Sequence, residues 1–382
     1  MSNEGQLASV LFGITAFRIS GGIASVNRAI YRTLSDSCRQ GLLERVDVVS
    51  LLADQGSAGI PRLSPGSGAQ LNANGSKARF VWQLSRSARQ HHHDWLLFDL
   101  VGLARCVTLP LSNLPPNRLA IFTHWHELTF DLTERHYQAL QRADRLLTNS
   151  QFSARQLQKQ FPEFEEKIRP VPLCIDPQRV DQWEASNEPP PPRRRSIALI
   201  VSRLNAAEGG KGHDTLIAAW PKVLEGDPSA ELWIVGGGSG QAELEQLVRM
   251  KGLDGSIRFL GVLDQTQLHR LYQEATVYVM PSTQEGFGLV YAEAMFHQMP
   301  CIGSDADAAS EIIVDGETGW IVPYADVERL TSALLSAFAD PRRCEEYGAA
   351  GRDRVLQHYR FEAFGQRFLR ALDLPQRPQI QA

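Results

Sequence analysis

Two glutamates separated by seven residues flank a glycine-rich turn: Glu285-Gly286-Phe287-Gly288 runs into Leu289-Val290-Tyr291-Ala292-Glu293. The apolar run Val277–Met280 before them reads as a strand, Pro281 to Gln284 as a polar loop, and Leu289–His297 as a helix. Glycines let backbone N–H groups approach a ligand closely, and a helix N-terminus attracts an anion such as phosphate. Glu285 falls in the loop and Glu293 about one turn inside the helix. Upstream, Arg203 offers a planar fork of donors and Lys211 a compact point charge, both suited to phosphate. Lys211 lies between Gly210 and Gly212 in a chain with only six lysines against 33 arginines, which makes a lysine there a selective choice. Taken singly, each residue has a plain structural reading: Glu285 a helix cap, Glu293 a solvated side chain, Lys211 a solvated loop cation.

A second set of candidates ends the strand-like run Leu119–Thr123, where His124 and His126 flank Trp125 and precede Glu127. A strand delivers its next residue to the carboxyl edge of the sheet, where α/β proteins place ligands. Positions 124 and 126 share one strand parity, so alternation does not separate them. His91-His92-His93 invites a metal reading. Consecutive residues, however, fan around a helix or alternate across a strand and rarely converge on one ion. A solvated end to the helical stretch Arg79–Gln90 is expected instead. The turn Gly236-Gly237-Gly238-Ser239-Gly240 lacks Gly-x-Gly-x-x-Gly spacing, which sets aside a nicotinamide-dependent oxidoreductase.

These groups need a scaffold. In the first half Ala8–Ile14, Val46–Leu52, Trp95–Val101, Leu119–Thr123 and Arg145–Asn149 read as apolar strands, and Gly21-Gly22 opens a helical stretch, Ile23–Leu34. In the second half Ser196–Val201, Leu232–Val235, Ile257–Leu260, Val277–Met280 and Pro300–Gly303 alternate with helical patterns at Thr215–Leu224, Gln241–Met250 and Gln267–Glu274. Repeated βα units imply parallel sheets with right-handed crossovers. The fold class is therefore α/β, with two doubly wound parallel-sheet domains facing a cleft. The proline run in Glu188–Arg195 favours an extended connector. It divides the chain into domains 1–188 and 189–357, with residues 358–382 carrying a helical pattern, His358–Leu372. The Gly-, Ser-, Asn- and Pro-rich stretch Ser57–Ser76 reads as a loop.

A length of 382 residues exceeds a single core and favours two domains. Hydrophobic content of 43% with 21% charged residues excludes a disordered or fibrous chain. No run of about 18 apolar residues exists, so no transmembrane helix is expected. Glu4 and the missing basic stretch argue against a secretory leader. The net charge of -4 speaks against a nucleic-acid partner, yet it hides +5 over residues 1–173 and -9 over 174–382. A basic first half is compatible with peripheral contact at the inner face of a membrane. Five scattered cysteines without a CxxC pair fit reduced thiols in the cytoplasm.

The stretch from Glu285 to Glu293 resembles the Glu-x7-Glu signature of the retaining glycosyltransferases of family 4 (glycosyl transferases group 1), which have the two-domain, Rossmann-like GT-B fold. Ser202-Arg203-Leu204 with Lys211-Gly212-His213-Asp214 resembles another element of that family. So do Val235-Gly236-Gly237-Gly238, Phe259-Leu260-Gly261-Val262 and Ala308-Ala309-Ser310-Glu311 through Gly319. In the first half, Gly21-Gly22-Ile23 and Ala143-Asp144-Arg145 through Ser153 resemble the family's opening glycines and a later strand. The resemblance spans roughly residues 10–370. It implies a nucleoside-diphosphate sugar as donor, with Arg203 and Lys211 on the diphosphate, Glu285 on the donor sugar hydroxyls and Glu293 on the ribose. The amides of Gly288, Leu289 and Val290 would cradle phosphate or sugar after Gly286 and Phe287, Gly22 would lie against the phosphates, and Gly261 and Val262 would border the base. A histidine near the donor sugar is also implied. Spacing to Ala143-Asp144 favours His124, with Trp125 where glycine is usual, and the alternative register makes His126 the counterpart. The sequence departs from the family in the longer loop Asn205 to Gly210 and in Ser310, where proline is common.

The resemblance further implies transfer to a carbohydrate, glycolipid or small-molecule acceptor by front-face displacement. The leaving diphosphate would help to deprotonate the acceptor, without a protein nucleophile. The resemblance also implies that cations and helix dipoles rather than an essential metal stabilise the leaving group. The helical pattern His358–Leu372 is likewise implied to cross back to the first domain. A catalytically idle sugar-nucleotide-binding protein of the same fold is the competing expectation, and the retained Arg203, Lys211, Glu285 and Glu293 argue against it.

Overall fold

A computed structural model describes residues 7–17, 22–52, 67–109, 114, 118–128, 132–185, 196–206 and 210–376. Gly21, residues 57–66 and the proline run 188–195 lie outside the described residues. The chain divides into two compact units, Met1–Pro177 together with Phe361–Ala382, and Gln178–Arg360.

The first unit contains β1 (Ala8–Ile14), α1 (Gly22–Arg39), β2 (Leu43–Ser50), β3 (Gln70–Asn72), α2 (Lys77–Gln90), β4 (Trp95–Phe98) and α3 (Val101–Ala104). It continues with β5 (Arg118–Thr123), α4 (Trp125–Leu128), α5 (Glu134–Arg142), β6 (Arg145–Thr148), α6 (Gln151–Gln160) and β7 (Ile168–Pro170). Among the described residues its strands form one seven-stranded sheet in the order β3-β2-β1-β4-β5-β6-β7, with parallel pairing throughout. Val10, Leu11, Phe12 and Ile14 are fully buried, as expected for a strand covered on both faces. The order reverses between β1 and β4, and that switch point is where an open α/β sheet forms a crevice at its carboxyl edge.

The second unit is entered through α7 (Pro177–Glu184). It contains β8 (Ile197–Val201), α8 (His213–Gly226), β9 (Glu231–Val235), α9 (Gln241–Met250), β10 (Ile257–Gly261), α10 (Gln265–Glu274), β11 (Val277–Met280) and α11 (Leu289–Phe296). Then follow β12 (Cys301–Ser304), α12 (Ala309–Ile312), β13 (Gly319–Val322), α13 (Val327–Ala339) and α14 (Pro341–His358). The second sheet is also parallel, ordered β10-β9-β8-β11-β12-β13, with its switch point between β8 and β11. The last helix, α15 (Phe361–Ala371), packs within the first unit: Arg32 of α1 lies 4.7 Å from the Phe361 ring centroid, and Asp373 bonds Arg118 at 2.8 Å and Arg145 at 2.9 Å.

Four sequence expectations change. The units divide at Pro177 and Arg360, not at 188 and 357, because Trp183 of α7 packs on Phe296 and His297 of the second unit, with ring centroids 5.4 and 4.6 Å away. The stretch Ser57–Ser76 includes β3, an edge strand paired with β2. The expected helix His358–Leu372 is α15, which starts three residues later, after the break at Tyr359-Arg360 that ends α14. Finally, the histidine run is only partly a solvated helix end. His91 and His92 are exposed, but His93 is fully buried, with Nε2 3.0 Å from Asp47 Oδ2. Burial would raise the Asp47 carboxyl, but bonds from His93, Arg45 and Ser87 outweigh it and hold it well below the usual range.

Candidate active site

The chemistry-bearing residues of the second unit gather at the carboxyl ends of β8 and β11, on its switch point. Lys211 sits in a turn flanked by Gly210 and Gly212, both left-handed at φ +90° and +83°. A Cβ on Gly212 would come within 2.4 Å of the Pro281 carbonyl oxygen, and Thr283 N donates to Gly210 O at 2.8 Å. Only glycine lets these two loops touch. Their contact brings Lys211 Nζ to 2.8 Å from Glu285 Oε2. Glu285 Oε1 accepts from Gly288 N at 3.0 Å and Phe287 N at 3.5 Å, so the carboxylate also caps the start of α11. Burial pushes the Glu285 carboxyl up, but the Lys211 ammonium and the two amides overcome that and hold it below its ordinary value. Next to them, the His213 ring bonds Ser202 Oγ at 2.9 Å. Burial, then the charge of Lys211, lowers its pKa to about 4, so the ring is neutral.

Asp307 escaped the sequence reading although it organises the loop. It is buried, bonds the Ser282 hydroxyl, and accepts from Glu285 N at 3.1 Å and Ala309 N at 2.9 Å. Ala308 N in turn donates to Glu285 O at 3.1 Å. Both backbone polar groups of Glu285 are thereby fixed. Burial raises Asp307 to about 6 despite these bonds. The signal available in the sequence was Asp305-Ala306-Asp307, an Asp-x-Asp one residue beyond the run Pro300–Gly303.

Glu293 is not solvated: the residue is 3% exposed, pairs with Arg179 of α7 and accepts from Tyr272 at 3.1 Å. Neither partner was foreseen. Arg203 is exposed in the loop after β8. Phe287 is buried with its ring edge-on to Tyr359, centroids 5.6 Å apart, so it offers its amide rather than its ring. Gly286, Leu289 and Val290 are partly exposed at the helix start. Gly261 ends β10, its carbonyl accepting from Gly236 N at 2.8 Å, and Val262 beside it is 81% exposed.

In the first unit, Gly22 is exposed at the start of α1, and His124 follows β5 at 8% exposure. The His124 ring lies against Phe122, centroids 5.3 Å apart, and its buried Nε2 has no hydrogen-bond partner. Burial lowers its pKa to about 4, with a bond to the Asp99 backbone opposing the shift only in part. Around it lie two acids, Asp99, which the sequence reading did not single out, and Glu127, which it did. Asp99 accepts from Asn27 at 2.7 Å and Thr15 N at 2.8 Å, and burial raises it to about 6. Glu127 accepts from His124 N at 3.4 Å and is raised to about 7, again by burial. Of His126, only the backbone within α4 is described.

Two doubly wound parallel sheets of this kind are the GT-B fold. The model of the family Glycosyl transferases group 1 matches residues 181–354, within the second unit. Over 269 residues the chain is 28% identical to the GDP-mannose-dependent monoacylated alpha-(1-6)-phosphatidylinositol monomannoside mannosyltransferase of Corynebacterium glutamicum, covering 65% of this chain and 68% of that one. It is also 28% identical over 273 residues to a glycogen synthase of Mycobacterium tuberculosis, covering 70% and 64%. Among solved structures, sucrose-phosphate synthase from Thermosynechococcus elongatus superposes with a TM-score of 0.71 over 96% of this chain and 98% of that one, at 22% identity. Several other mannosyltransferase relatives are matched over about half their length.

Proposed function

We propose that the protein is a retaining glycosyltransferase that moves a hexosyl group from a nucleoside-diphosphate sugar to an acceptor hydroxyl. The observation that carries this reading is the Lys211–Glu285 pair at the start of α11, which sets a cation and a carboxylate beside the amides of a helix N-terminus. Lys211 and Arg203 take the diphosphate, the carboxylate of Glu285 accepts from sugar hydroxyls, and Glu293, fixed by Arg179 and Tyr272, takes the ribose. His124 offers its unpartnered Nε2 to substrate as a neutral ring. As the glycosidic bond breaks, negative charge grows on the diphosphate, where two cations and a helix N-terminus stabilise it. The acceptor oxygen bonds the anomeric carbon on the face that the diphosphate leaves and gives its proton to the leaving phosphate oxygen, so the anomeric configuration is kept. No metal is assigned a step.

Relatives that act on a phosphatidylinositol mannoside and on glycogen leave a glycolipid or glycan acceptor as the first choices, ahead of a small molecule. The reading includes peripheral contact with the inner face of a membrane. The test is incubation of the purified protein with a panel of nucleoside-diphosphate hexoses, following release of the nucleoside diphosphate and the anomeric configuration of the product. Turnover with retention is expected. Nucleotide binding without any turnover would favour the idle binding protein, and an inverted product would overturn the mechanism.

A further inference from the structure

Helix α2 carries Lys77, Arg79, Arg86 and Arg89 and no acidic residue. Phe80, Leu84 and Ala88 seat one side of it in the core of the first unit. At about 100° per residue, Arg79, Trp82, Arg86 and Arg89 fall within roughly an 80° arc on the opposite side. All four are exposed, and Trp82 is the one tryptophan among the described residues that is, at 55%. The Arg86 guanidinium lies 5.3 Å from the Trp82 ring centroid. Among the described residues none of the four cations has an ion-pair partner. An ordinary solvated helix face mixes both signs of charge, whereas this one is of a single sign with an indole at its centre.

We propose that this face of α2 is a docking surface for an anionic lipid bilayer. Unpaired cations complement a sheet of negative headgroups, and an indole rests at the headgroup level with its ring in the apolar boundary and its N–H in the polar zone. The shape favours lipid over nucleic acid: a convex helix side meets a plane, while single strands are held in grooves lined by several stacking rings. The inference rests on the reading that the enzyme works at a membrane surface, and it narrows that surface to one helix.

The experiment is co-sedimentation of the full chain with vesicles of phosphatidylcholine alone or mixed with phosphatidylglycerol, at low and raised salt. Binding is expected on the mixed vesicles only, and is expected to weaken as salt rises. Arg79→Gln and Arg86→Gln should each lower partitioning about fivefold. Trp82→Ala should lower it without changing the salt dependence. Melting temperature and turnover of donor with a soluble acceptor should stay at wild-type values, since these side chains are exposed and far in sequence from the donor loops. Equal vesicle binding by the variants, or no binding by the wild type, would overturn the proposal. So would a preference for an RNA oligonucleotide over mixed vesicles. If vesicle binding fails while soluble transfer persists, the surface is wrong and the enzyme reading stands. If vesicle binding holds while transfer is absent, the surface stands and the enzyme reading falls.

Discussion

The Lys211 ammonium is neutralised by Glu285, 2.8 Å away, so an incoming diphosphate must share or displace that contact. Lys211→Ala is expected to weaken donor binding by about 1.5–3 kcal/mol, the worth of a charge-assisted contact. It should also lower the melting temperature, because Glu285 is left partly buried without its counter-charge. Glu285→Gln should lose most transfer activity and melt lower too, since its carboxylate holds Lys211 as well as two amides. Because the two share one contact, the double variant should melt higher than the summed single losses predict. Strict additivity in calorimetry would mean the pair does not act as a unit.

His124 supplies a prediction of a different kind. Its folded pKa, about 4, lies below the unfolded value near 6.5, so between those pH values the unfolded chain binds a proton that the folded chain refuses. Its contribution to stability is therefore complete above pH 6.5 and lost as pH falls toward 4. His124→Gln removes that dependence, and on going from pH 7 to pH 5 the wild type should lose about 2 kcal/mol more than the variant. Asp99 and Glu127, with raised values, act in the opposite direction and are common to both proteins. Equal losses would place the ring in water. In transfer assays at saturating donor, His124→Ala should abolish turnover and His126→Ala should leave it within a few-fold. The reverse result would select the other register.

At the scale of the element, the start of α11 depends on Gly288. Its φ of +91° is left-handed, and a Cβ there would come within 2.4 Å of the Tyr291 ring. Gly288→Ala should cost roughly 1–3 kcal/mol in chemical denaturation, and turnover should fall with the displaced Glu285. Gly316→Ala separates strain from collision, since Gly316 has φ +75° with nothing within 4 Å of the added Cβ. If both substitutions cost the same, the Tyr291 contact is irrelevant. Elements of this kind were legible in the sequence where one local signal decided them: Val277–Met280 and Gln241–Met250 coincide with β11 and α9. Gln70–Asn72 has no apolar run, and only its pairing with β2 makes it a strand. The loop glutamate and its lysine stood out by composition and glycine spacing. Arg179, Tyr272, Asp307 and Asp99 did not, because each is defined by a partner distant in sequence.

For the molecule as a whole, transfer is expected to survive a chelator. The cations Arg203 and Lys211 with the α11 N-terminus supply the charge that a divalent ion would otherwise bring. Turnover lost in EDTA and restored by Mg²⁺ or Mn²⁺ would refute this. The two-unit organisation was legible from alternating strand and helix patterns. The exact division was not, because a proline run stands out in a sequence, whereas the packing of Trp183 on Phe296 and His297 depends on partners more than 100 residues away.

The return of α15 to the first unit has a consequence for the order of events on the ribosome. The second unit is one continuous stretch, so all of its contacts are available once Arg360 has left the exit tunnel. The first unit begins earlier and finishes later: the partners of Arg32, Arg118 and Arg145 at Phe361 and Asp373 are made only after the whole second unit. At 5–20 residues per second, the intervening stretch holds the first unit incomplete for roughly ten to forty seconds. During that wait the surface of α1 meant for α15 is uncovered, and the unit synthesised second becomes whole first.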